Sequence, residues 1–257
     1  LSGIGVQCGA HRLWSHKAFK AKLGLRIFLA ACQTMAGQKN IYYWVRDHRV
    51  HHKYSDTDAD PHNSHRGFWF AHMGWIYLKK HPLVLEKGNQ LDMSDIEADP
   101  VVMFQQKYYV PLLILFWGVI PAVIPVIFWN ESLLLSILGC VFFRHVYMLN
   151  VTGLVNSYAH MFGYRPYDTR IRPAESTYVR HLMMGEGFHN YHHTFPWDYS
   201  ASELGSLDVF NPATAAIDFF HAMGWAYDLR KPTPAMVANR IKGHGDQVEA
   251  ELHRTSS

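Results

Sequence analysis

From Tyr108 to Asn130 the chain runs for 23 residues without a charged side chain. A helix of that length rises about 34 Å at ~1.5 Å per residue, enough to cross a hydrocarbon core of ~30 Å. Pro111, Pro121 and Pro125 predict kinks, which lipid-embedded helices tolerate better than soluble ones. After the short linker Asn130-Glu131-Ser132, a second apolar run extends from Ser132 to Gly163, interrupted mainly by Arg144, His145 and His160. An arginine at such a depth is costly, so it is expected to face protein or a polar cavity. Membrane helices over about 108–130 and 133–160 would form a hairpin that returns the chain to the side it left. Lys79, Lys80, Lys87 and Lys107 precede the pair, and Arg165, Arg170, Arg172 and Arg180 follow it. The excess of positive charge outside the hairpin predicts that both outer ends are cytoplasmic.

The hairpin therefore brings together segments more than a hundred residues apart, and both are rich in histidine. His48, His51 and His52 are spaced i, i+3, i+4, and so are His189, His192 and His193. On a helix each set shares one face. A third cluster, His11 and His16, is spaced i, i+5; on a straight helix the two imidazoles would lie about 140° apart, so a helix end or bulge is expected there. Asn156 and His160, at i, i+4, sit at the returning end of the second run. Imidazole suits iron, zinc, copper or nickel, and clustered histidines in this number exceed what one tetrahedral zinc needs. Two metals are implied. Carboxylate-bridged di-iron bundles need paired Glu-x-x-His motifs, and Glu186-Gly187-Phe188-His189 is the only match, so an all-histidine site is expected instead. Beside a membrane, such a centre points to oxygen activation on a lipid-like substrate. Asp47 and Glu186, adjacent to candidate ligands, are natural acceptors that would fix imidazole tautomers.

The rest of the chain narrows the class. A net charge of +3 gives no case for nucleic acid, and Cys8, Cys32 and Cys140 are too scattered for a disulfide framework or a CxxC site. The uncharged Leu1 to Ala10 spans roughly 15 Å as helix, too short to cross, and reads as the tail of a membrane helix whose beginning lies outside this sequence. Phe19 to Met35 mixes basic and apolar residues as an interfacial amphipathic helix would, with a buried helix as the alternative. Phe68 to Leu78 is aromatic and too short to span. Turn residues mark 55–67 as loop, and 241–257 reads as a polar tail of disordered type beyond a domain over 1–240.

Three stretches carry a family resemblance. Gly9-Ala10-His11-Arg12-Leu13-Trp14-Ser15-His16, Trp44 to Lys53 and Gly185 to Trp197 resemble the histidine boxes of animal acyl-CoA desaturases of the stearoyl-CoA type. Asp58-Ala59-Asp60-Pro61-His62-Asn63, Lys79-Lys80-His81-Pro82 and Trp225 to Leu229 extend the likeness over nearly the whole chain. The resemblance implies an all-α integral membrane protein: helical hairpins of a four-helix fold, its first helix and most of its second absent from this sequence, with an α-helical cytosolic cap carrying a di-iron site. Carried over by position, the implied ligands are His11, His16, His48, His51, His52, His160, His189, His192 and His193, with Asn156 reaching a metal through water. Arg46, Asp47, Lys79 and Lys80 would bind the CoA part of a long-chain acyl-CoA, Glu186 would support a ligand, and O2 would be co-substrate. Cytochrome b5 and its NADH-dependent reductase would supply electrons at the endoplasmic reticulum membrane; no haem motif or GxGxxG occurs in the chain itself. A membrane di-iron hydroxylase or acetylenase would use the same boxes. A non-catalytic metal-binding or transport protein is the reading from another class, although transporter ligands belong at the midplane of membrane helices. Two positions depart from the family pattern: Gly153, where tryptophan is usual, and Tyr158, where alanine is. Glycine at 153 is expected to leave a void beside the acyl chain.

Overall fold

The uncharged run folds as one helix, Tyr109–Trp129, and the second run as another, Leu133–Met161. The computed structural model describes residues 1–206 and 208–256. Asn130 turns between the helices in the left-handed region (φ 53°), and Ser132 caps the second by accepting from the Leu135 amide. Only 11% of the first helix's most apolar window and 22% of the second's are buried. Ile127, Phe128, Leu134 and Phe143 are each about 70% exposed, so this surface is the apolar belt of a membrane span, not a protein core.

Pro121 explains a local departure inside the first helix. Lacking an N–H, it cannot donate to the carbonyl of Trp117, and the turn before it, Ile114–Val119, widens to π geometry. The freed Trp117 carbonyl accepts from Arg144 Nη2 at 2.8 Å. Arg144 also donates to the carbonyls of Cys140 and Met35 and to Ser2 Oγ. The charge within the second span thus faces protein, and it ties both spans to the preceding helices.

Those helices are Ser2–Ile4, continuing as π-helical Gly5–Ser15, and Leu23–Ala36, which ends on the left-handed Gly37. The second packs Leu25, Leu29 and Ala30 against the first, while Leu23 and Ile27 stay 53% exposed. Trp14, Ile41, Val45, Ile96, Ile217 and Phe220 complete this core. A two-stranded antiparallel ribbon, Lys20–Ala21 with Ala226–Tyr227, fastens the C-terminal third to the start of the chain. The aromatic stretch after residue 67 is helical, with a π turn at Phe70–Gly74 that lies against the second span.

Two expectations are corrected. Residues 241–256 are not a disordered tail: Pro234–His244 and Gln247–Ser256 are helices. Val237 and Ile241, one turn apart, and Ala250 are buried in a cluster with Tyr167, Phe188 and Tyr191. A sparse apolar stripe is enough when a partner surface already exists. Ser257 lies outside the described residues. Gly153, in turn, leaves no void. A Cβ there would stand 2.6 Å from the His72 carbonyl oxygen and 3.0 Å from His72 Nδ1. The glycine is filled by a neighbouring backbone.

Candidate metal centre

Four elements deliver the histidines. His11 and His16 lie at the end of the π helix, where the His16 amide donates to the His11 carbonyl in an i→i+5 bond of 3.2 Å. The wider turn cancels most of the angular offset that a regular helix would impose, so the two rings meet at 4.9 Å between centroids. His48, His51 and His52 lie on Ile41–Tyr54, whose start is fixed by Asn40 accepting from the Tyr43 amide. His160 lies on Tyr158–Met161, and His189, His192 and His193 on His189–Thr194.

The rings gather into two sets. His11, His16, His48, His52 and His192 form one, and His51, His160, His189 and His193 the other; within each, the donor atoms lie within 4.8 Å of one another. Nε2 atoms face each other at 2.9 Å (His11 and His192), 2.8 Å (His16 and His48) and 3.1 Å (His52 and His192) in the first set. In the second they stand at 2.9 Å (His160 and His189) and 3.3 Å (His51 and His193). Two imidazoles bound to one ion at right angles, with bonds of ~2.1 Å, would hold their nitrogens about 3.0 Å apart. A neutral imidazole has a single N–H to give, so lone pairs converging in such numbers cannot all be satisfied by one another. A cation in each set would satisfy them. Burial, followed by the neighbouring imidazoles, holds His16, His48, His52, His189, His192 and His193 well below the usual histidine range, which keeps them neutral as ligands must be. The donor set fits two metal ions.

Three carboxylates hold the opposite ring nitrogens. Glu186 lies 3.1 Å from His11 Nδ1, Asp60 2.9 Å from His51 Nδ1 and Asp56 3.0 Å from His160 Nδ1. Each fixes the tautomer that leaves Nε2 free to bind. Glu186 also pairs with the fully buried Arg12 at 2.8 Å; burial pushes its carboxyl up, but His11 and Arg12 outweigh that and hold it at about 2. Asp56 and Asp60 escape a reading of the sequence because they look like turn residues. The signal was their place just after His51 and His52, four residues apart. Asp47 takes no part in this. Its carboxylate accepts instead from Lys39 at 2.8 Å and Lys80 at 2.5 Å, with Arg46 at 3.5 Å. His62 is buried, 4.2 Å from His51 between ring centroids, with Nδ1 3.7 Å from Asp60.

A cavity of about 260 Å³ leads to the first set, bounded by Trp44, Asp47, His48, Trp75, Leu149 and Asn156. Asn156 therefore stands on the same wall as a ligand histidine, and Gly153 and His72 line the floor beside it. Lys39, which drew no attention in the sequence, sits on the rim with its ammonium 4.6 Å from the Trp75 ring. Lys80 is joined to the rim through Asp47, Lys79 is exposed, and Arg46 faces a separate surface depression.

A family model described as fatty acid desaturase matches residues 1–209. The chain belongs to the fatty acid desaturase family. It is 53% identical over 246 residues to the acyl-CoA delta-9 desaturase of Acheta domesticus, an alignment covering 96% of this chain and 68% of that one. Stearoyl-CoA desaturase 5 of Bos taurus is 54% identical (96% and 73% covered), and the stearoyl-CoA desaturase of Homo sapiens 52% (96% and 68%). Membership makes the chain a membrane oxidoreductase of fatty acid desaturation, in keeping with the two exposed apolar helices and the paired histidine sets.

Proposed function

We propose that the chain is the catalytic part of an acyl-CoA desaturase that introduces a cis double bond into a long-chain fatty acyl-CoA. The observation that carries this reading is the pairing of five and four converging imidazoles at the end of a cavity with aromatic walls. His11, His16, His48, His52 and His192 would hold one iron and His51, His160, His189 and His193 the other, with Asn156 contributing through water. Iron held by these residues would supply the oxidising power, drawn from O2, for removing two hydrogens from adjacent methylenes.

The protein's own residues do the rest. Glu186, Asp56 and Asp60 keep the imidazoles oriented, accepting from Nδ1 so that Nε2 faces the centre. Trp44, Trp75 and Leu149 exclude water from the alkyl chain and gain from its burial, about 0.8 kcal/mol for each methylene removed from solvent. Lys39, which lines the cavity, and Lys80, tied to it through Asp47, suit the phosphates of CoA, and the exposed Lys79, with Arg46, would add to their charge. Asp47, held ionised by Lys39 and Lys80 against the effect of its burial, keeps those cations in place. In this reading electrons arrive from cytochrome b5 and its NADH-dependent reductase, and the enzyme sits in the endoplasmic reticulum membrane with its histidine face and C-terminus cytosolic.

The test is expression of the full-length protein in yeast lacking its own desaturase, with chromatography of the fatty-acid methyl esters and iron analysis of the purified protein. Monoenes and close to two irons per chain are expected. Hydroxy acids would reassign the reaction; a reproducible single metal, or no product at full expression, would overturn it.

A further inference from the structure

A second, separately lined opening reaches the histidines. It is a cleft of about 310 Å³ whose walls include His52, Asp56, His65, Arg172 and His193. No residue lines both this cleft and the cavity that contains His48 and Asn156. The cleft meets the centre at the join between its halves. His52 belongs to the set of five and His193 to the set of four, and the two rings stack at 4.2 Å with 13° between their planes.

The two openings differ in chemistry. The first is walled by Trp44, Trp75, Ile76 and Leu149. The second has mainly polar walls, with Ile171 and Pro173 the apolar exceptions. Arg170 at its edge is engaged, paired with Asp168 through two bonds of 2.9 Å. Arg172 is less committed. Its carbonyl is pinned by Arg165 Nε at 3.0 Å and Nη2 at 2.8 Å, but among the described residues its guanidinium has only a 3.5 Å contact to His65 and a 3.9 Å approach to Asp56. Its Nε makes no hydrogen bond among the described residues. A cationic fork with spare donors at the mouth of a polar cleft attracts water and small anions.

We infer that this cleft is a separate entrance to the metal centre, one that admits water and small anions while the acyl chain fills the other cavity. The inference rests on the desaturase reading. In that reaction each O2 takes up two electrons from the donor and two protons, along with two hydrogens and their electrons from the acyl chain, and leaves as two waters. An alkyl chain seated between tryptophans cannot pass protons or water. The cleft can: at ~30 Å³ per water its volume corresponds to roughly ten molecules.

Azide is the probe, used on the purified, iron-loaded full-length protein. Its binding to ferric iron is followed by stopped-flow absorbance, with and without saturating long-chain acyl-CoA and with no reductant present. The cleft predicts an azide rate unchanged within twofold when acyl-CoA is bound. It also predicts a slowing of tenfold or more in Ile171→Trp, and a slowing in Arg172→Glu that high salt abolishes. Iron content and acyl-CoA affinity, measured on the same samples, show that each variant is folded. Arg172→Glu, at a half-exposed position, carries the test if the tryptophan variant loses iron. Acyl-CoA that blocks azide, or cleft variants with full iron and wild-type rates, would place the entrance in the acyl cavity and overturn the inference. A wild-type protein that holds no iron would instead remove the desaturase reading, and this one with it.

Discussion

Gly153 lies inside the second membrane helix, where alanine should be the better residue by about 1 kcal/mol. The structure predicts the opposite sign. The added Cβ would meet the His72 carbonyl oxygen at 2.6 Å, and that oxygen belongs to a helical backbone that cannot rotate away. The turn Phe70–Gly74 would have to retreat from the span. His72 bonds to the span twice, through Nδ1 to Ser157 Oγ at 3.0 Å and through Nε2 to Asn150 Oδ1 at 3.2 Å. Overpacking of this kind costs about 1–3 kcal/mol, and weakening two hydrogen bonds adds about 0.5–1.5 kcal/mol each. Set against a propensity gain of about 1 kcal/mol, the net loss for Gly153→Ala is about 1–5 kcal/mol.

Gly153→Trp should lose more, because its Cβ meets the same His72 backbone and the indole must displace it. The assay is thermal unfolding in detergent at a fixed scan rate, since membrane proteins often unfold irreversibly. At roughly 2–4 °C per kcal/mol for a chain of this size, Gly153→Ala should lower the apparent Tm by about 2–20 °C. An alanine variant as stable as wild type would show that the helix and the His72 turn are not in contact, and the reasoning would fail.

Three further outcomes are expected. Glu186→Gln should weaken iron binding by about 10–100-fold, because His11 loses the acceptor that orients it; the check is iron per chain after dialysis against graded chelator, and wild-type retention would refute it. Glu175 is buried, accepts from backbone amides including that of Tyr191, and is pushed up to about 8 mainly by burial. The folded state therefore holds a proton that the unfolded state releases near pH 4.5, so this group's contribution to stability falls as pH rises from about 4.5 to 8 and Glu175→Gln should be the more stable protein at pH 9 but not at pH 5; parallel melting curves that do not converge at low pH would count against it. Lys39→Ala should raise KM for acyl-CoA by about tenfold with kcat nearly unchanged, the loss expected for one charge-assisted bond made equally in ground and transition states; a fall in kcat alone would move Lys39 from the entrance to the chemistry.

What could be read from the sequence was whatever rests on periodicity and local composition. The spans at about 108–130 and 133–160 differ from the observed helices by at most one residue at any end, because an uncharged run needs no partner to declare itself. The histidine spacings likewise pointed to shared faces, and the hairpin explained how distant faces could meet. What escaped depends on contacts between segments. Asp56 and Asp60 look like turn formers until the loop folds back under His51 and His160. Asp47 looked like a ligand's partner because it is next to His48, yet adjacent helical residues diverge by about 100° and its partners are lysines. The helices after residue 233 hold together on a handful of apolar side chains, too few to stand out among the charges around them.

The π turns show most directly how the two kinds of information join. The i, i+5 spacing of His11 and His16 cannot make a shared face on an α-helix, and the sequence says only that the helix must be irregular there. The structure supplies the irregularity as a run of π geometry from Gly5 to Ser15. An isolated π helix is a poor one, so something outside the turn must hold it. Arg12 does so: its buried guanidinium bonds to Thr214, to the Tyr199 carbonyl and to Glu186, all from the C-terminal third of the chain. Glu186 in turn orients His11. One ion pair thus fixes both the backbone that spaces the first two histidines and the tautomer of one of them. The most distant parts of the sequence must therefore be docked before the five-histidine set can exist.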